Sequence, residues 1–155
     1  MTNNDILRRI RYIFDLSDTK MIATFAAADH RLTRADVSDL LKRFDDPVHQ
    51  ECSDSLLATF LNGLINDRRG KKDGPQPEPE KELTNNIIFR KMKIALTLDA
   101  DETLEILALA DMRLSKHELS AFFRRPDHKH FRECKDQVLR NFLKGLQIKH
   151  RGAPG

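Results

Sequence analysis

Displaced by 82 positions, the chain aligns with itself without a gap: residues 2–70 fall on residues 84–152, and about a third of the aligned pairs are identical. Among them are Asn3/Asn85, Asn4/Asn86, Asp29/Asp111, Cys52/Cys134, Phe60/Phe142 and Gly63/Gly145. Such an internal duplication limits the fold strongly, because whatever the first copy builds the second must build again. It divides the chain into a first repeat (1–70), a segment at 71–83, a second repeat (84–152) and a short tail (153–155). Residues 71–83 hold three prolines at alternate positions, which predicts a polar, extended linker.

Each repeat reads as four helices. Ile6, Leu7, Ile10, Ile13 and Phe14 recur at helical spacing behind Asn3 or Asn4 as the expected N-cap, and Ile88, Phe89, Met92, Ala95 and Leu96 repeat the pattern. Ser17 and Asp99 are aligned caps for a second helix. Thr33-x-x-Asp36 and Ser115-x-x-Glu118 are capping boxes for a third: the hydroxyl accepts an amide hydrogen while the acid reaches back to the cap amide. The fourth carries Leu57, Phe60, Leu61 and Leu64, repeated as Leu139, Phe142, Leu143 and Leu146. Gly63 and Gly145 interrupt this most apolar helix, where glycine costs about 1 kcal/mol relative to alanine, so a close helix crossing is expected there. No run alternates as a strand does. The predicted class is all-α: a tandem duplication of a four-helix unit, eight helices and no sheet.

Composition narrows the function classes. No run approaches about 18 consecutive apolar residues, which excludes a membrane span. Two cysteines do not make a disulfide scaffold, and with charged residues close behind the first methionine they lead us to expect a cytoplasmic protein without a secretory leader. The net charge of +3 is only mildly basic.

Two sets of residues are candidates for function. Arg8, Arg9 and Arg11 align with Arg90, Lys91 and Lys93, so the first helix of each repeat keeps three cations. Cations at fixed spacing release counterions from a polyanion without reading its sequence. The competing account is a solvated helix face with local ion pairs. The second set is the loop holding Asp127, His128, His130 and Cys134, whose donor types suit zinc. Of His128, His130 and Cys134 only the cysteine is duplicated, the histidines facing Asp46 and Val48, so no metal or other cofactor is expected. A buried structural role for Cys52 and Cys134 is the favoured reading. Neither a Ser–His–Asp arrangement nor a phosphate-binding glycine loop is present, so no catalytic residue is assigned.

Asn-Asn-x-Ile at both repeat starts, the stretch Pro126-Asp127-His128-Lys129-His130-Phe131-Arg132-Glu133-Cys134, and the paired Phe-Leu-x-Gly-Leu blocks at Phe60 and Phe142 resemble the YehS-like family. That is a bacterial family of roughly this length, classed as a domain of unknown function. The first copy departs from the loop motif, reading Phe44-Asp45-Asp46-Pro47-Val48-His49-Gln50-Glu51-Cys52. The resemblance implies the two-repeat fold and no activity. The expectation is therefore a non-enzymatic helical interaction module with a macromolecular partner. That partner is nucleic acid through the basic first helices, or else protein, in an adaptor or self-associating scaffold.

Overall fold

A computed structural model describes residues 1–152. Its elements are α1 (Asn3–Ile13), α2 (Asp18–Ala26), α3 (Arg34–Leu41), α4 (Asp54–Arg69), α5 (Asn85–Ala95), α6 (Ala100–Leu109), α7 (Lys116–Ala121) and α8 (Asp136–Arg151). Each of the last four begins 82 residues after its counterpart, and no strand occurs among the described residues. None of these helices is long and apolar enough to cross a membrane. The chain divides into two units, Met1–Leu83 and one beginning at Thr84.

Helix starts are set by local chemistry. Thr33/Asp36, Ser115/Glu118 and Asp99/Glu102 form capping boxes, and Ser17 caps α2. At α1 and α5 the cap is Thr2 and Thr84, one residue ahead of the expected asparagines. Asn3 and Asn4 are displaced from that role because their side chains are used far away in sequence. Asn4 donates to the carbonyls of Leu40 (2.8 Å) and Gln50 (2.9 Å) and accepts the Cys52 amide at 3.0 Å. Asn86 does the same with Phe122, Arg132 and Cys134. Asn3 and Asn85 donate to the Cys52 and Cys134 carbonyls and to Asp54 and Asp136, each carboxylate bond being 2.7 Å. The paired asparagines thus tie the loop before the fourth helix to the start of the first.

Helices α1 and α2 end on left-handed residues, Asp15 (φ 51°) and Asp29 (φ 60°), repeated by Thr97 (φ 54°) and Asp111 (φ 59°). The duplicated Asp29/Asp111 pair therefore has a backbone role, since aspartate tolerates this conformation better than most side chains.

In the first unit α2 packs along α4, and α1 against α3 and α4; in the second α6 packs along α8, α7 against α6, and α5 against α8. Leu7, Ile10, Phe25, Leu57, Phe60 and Leu61 are fully buried in the first core. Phe89, Met92, Leu107, Leu139, Phe142 and Leu143 fill the second. The glycines mark the tightest approach. A Cβ on Gly63 would overlap the Thr24 carbonyl, and one on Gly145 the Ile106 carbonyl, so the backbones of α2/α4 and α6/α8 touch.

Residues 71–83, expected as a solvated linker, run extended but are fastened to the first unit. Lys71 pairs with Asp29, Gln76 accepts from Asn66 (3.0 Å), the Glu80 carbonyl accepts from the Ser55 hydroxyl (3.2 Å), and the Leu83 amide donates to Asp54 (2.9 Å).

Candidate functional site

The duplicated cations of the first helices are not equivalent in their surroundings. Arg8 pairs with Asp5, one turn away, and donates to the Lys42 carbonyl at 2.9 Å. Arg11 pairs with Asp18 at 3.5 Å. Arg9 is half-buried, its Nε out of solvent and without a partner, as expected where an arginine stem covers apolar surface. In the second repeat Ile87 stands where Asp5 stands in the first, and the exposed Arg90 has no hydrogen-bond or ion-pair partner among the described residues. Lys93 lies over the Phe123 ring, 5.0 Å from its centroid, and Lys91 is half-buried.

The four loop candidates do not form one site. Cys134 is buried, its amide held by Asn86 and its thiol directed to the Lys135 carbonyl at 3.7 Å. Burial, reinforced by Asp136, pushes the thiol up to about 12, and Cys52 behaves alike beside Asp54. Neither is a thiolate near neutral pH. Asp127 is engaged by Arg125 at 3.6 Å. Only His128 and His130 come together, their ring centroids 5.6 Å apart, with His117 6.2 Å from His130. Among the described residues no three histidines, cysteines or acids converge as metal ligands.

His128 clarifies the state of Arg124. The His130 amide donates to His128 Nδ1 at 3.0 Å, so the neutral ring carries its proton on Nε2. Arg124 Nη1 lies 3.4 Å from that same Nε2, and two donors facing each other make no bond. The Arg124 Nε is also buried without a partner. Arg124 is thus as short of protein acceptors as Arg90.

These two arginines border a groove of about 480 Å³ between the start of α5 and residues 122–133, with apolar walls from Ile87, Phe122, Phe123 and Phe131. Its one acid, Glu133, is paired with Lys135 at 3.2 Å. Asn86 fixes both sides of the groove at once, bonding the Phe122 carbonyl at 3.0 Å and the Arg132 carbonyl at 2.8 Å. The first repeat has a groove at the same place, about 760 Å³, but its lining includes Asp5, the neutralised Arg8, His49 and Glu51.

Comparing which cations both copies keep does not reveal this difference. Charge counted by repeat does. Residues 2–70 carry 10 Lys and Arg against 11 Asp and Glu, whereas residues 84–152 carry 14 against 9. The second repeat is net positive by five and the first net negative by one.

Residues 3–70 and again 85–152 match the family described as "Protein of unknown function (DUF1456)". The chain is 40% identical over 156 residues to the uncharacterized protein YehS of Escherichia coli (strain K12), with all of both chains covered. No solved structure matches it.

Proposed function

The chain belongs to the DUF1456 family, and we propose that it is a non-catalytic helical interaction module that contacts nucleic acid through its second repeat. The observation that carries this reading is the state of Arg90. It is exposed and unpaired beside Arg124, in the repeat with the cationic excess, while its counterpart Arg8 is neutralised by Asp5. Arg125, Lys129 and Arg132, all exposed, extend the same loop. The first repeat then serves as scaffold.

Fluorescence polarisation with labelled DNA and RNA over a salt series tests the reading. Affinity should fall steeply with salt, and Arg90→Ala and Arg124→Ala should each weaken binding and reduce the slope by about one. Arg8→Ala should leave both unchanged. A response flat in salt would remove the proposal.

One observation favours a second reading, a protein partner. In the first repeat Phe44 is 82% exposed and Val48 53% exposed on one short loop. Light scattering on the wild type and on Phe44→Ser would detect self-association through that loop.

A further inference from the structure

We infer that the groove of the second repeat receives an unstacked base, so that the nucleic acid engaged is single-stranded. This rests on the reading that the second repeat contacts a polyanion, and it concerns what phosphate contacts alone leave unexplained. A purely electrostatic surface needs cations and no concavity. Here two acceptor-poor arginines border apolar walls, and the volume, about 480 Å³, lies within the range of sites that enclose small organic groups. An occupant complementary to both features places a flat apolar face next to an anion. A nucleotide in a single strand does so. In a duplex the base faces are stacked on one another and only the phosphates remain.

The groove is also preorganised. Asn86 bonds both walls, and the Arg132 amide donates to the Ala121 carbonyl at 3.1 Å, so little ordering is left for binding to do. The first repeat acts as a natural control. It has the same asparagine clamp but carries Asp5 for Ile87 and His49 for Phe131, and its arginine is neutralised.

That comparison supplies the decisive variant. Ile87→Asp writes the first repeat's residue into the second: the new carboxylate completes a capping box with Thr84 and gives Arg90 a partner. It should therefore unfold at the same or a higher temperature than the wild type while losing binding, a combination that damage to the fold would not produce.

Polarisation of the full chain is measured with a labelled single-stranded oligonucleotide, its duplex, and an abasic strand of equal phosphate number. The single strand should bind about tenfold tighter than the other two. Phe131→Ala should remove that advantage while leaving the abasic strand unaffected, and Ile87→Asp should weaken all three. If the three probes bind alike and Phe131→Ala changes nothing, the base-binding groove is overturned and the polyanion reading stands. If none binds in a salt-dependent way, both fall together.

Discussion

Asn4 Oδ1 accepts the backbone amide of Cys52 at 3.0 Å and so joins the start of α1 to the chain entering α4. Asn86 and Cys134 repeat the bond at 2.9 Å. With the carbonyls of Leu40 and Gln50 also served by Asn4, one buried side chain satisfies three backbone groups. Asn4→Ala orphans all of them and is expected to cost about 3 kcal/mol, read from urea denaturation. Asn4→Asp keeps the shape and the acceptor but cannot donate to two carbonyls, so near neutral pH it should also be strongly destabilising. A near-neutral effect of both would show that water replaces the side chain.

At Gly63 two principles predict opposite signs. Alanine is the better helix former by about 1 kcal/mol. Its Cβ, however, would overlap the Thr24 carbonyl, which belongs to backbone and cannot rotate away. Gly63→Ala should therefore destabilise by about 1–3 kcal/mol, and Gly145→Ala likewise against Ile106. A higher melting temperature in either variant would mean that the crossing is looser than described.

Helix α4 is capped by the Ser53 hydroxyl, which accepts the Leu56 amide at 3.1 Å, whereas Lys135 at the start of α8 makes no cap bond. Lys135→Ser should add about 1 kcal/mol of stability by supplying the missing acceptor and removing a cation from the positive helix end. It also unpairs Glu133, so the same variant should bind nucleic acid more weakly while melting later.

Acid should loosen the fold. The Thr33 backbone amide and hydroxyl hold the Asp36 carboxyl below its ordinary 3.8, and Ser115 holds Glu118 below 4.5 in the same way. The Asn3 side chain and the Leu83 amide do so for Asp54, and the Asn85 side chain does so for Asp136. A carboxylate whose folded value is depressed stabilises fully above its unfolded value, and that contribution is lost as pH falls through the folded one. The urea midpoint should accordingly be flat from about pH 7 to about pH 5 and drop below about pH 4. Asp54→Asn should flatten part of that drop; a midpoint that rises on acidification would contradict the account.

The elements that could be read from sequence are those whose cause is local. Ser115 and Glu118 lie three residues apart, and the geometry of one helical turn fixes what they do. Gly145 stood out because a helix former was missing from an apolar face kept in both copies. Asn4 is hard to place from sequence because an asparagine at a helix start has an obvious local use, while its actual partners lie 36 to 48 residues away. The groove was hidden for the same reason, since Ile87 and Phe131 meet only when α5 is folded against the loop before α8. The solitude of Arg90 depends on one aligned difference, Asp5 against Ile87, and so is not among the features that the two copies share.

The fastening of residues 71–83 bears on how the molecule should be divided at the bench. A fragment stopped at Gly70, where the repetition ends, would strip Ser55 and Asp54 of the acceptor and donor they find at Glu80 and Leu83. Severing the chain after Leu83 keeps those bonds in the amino-terminal piece, and the carboxy-terminal piece still begins on Thr84, its own helix cap.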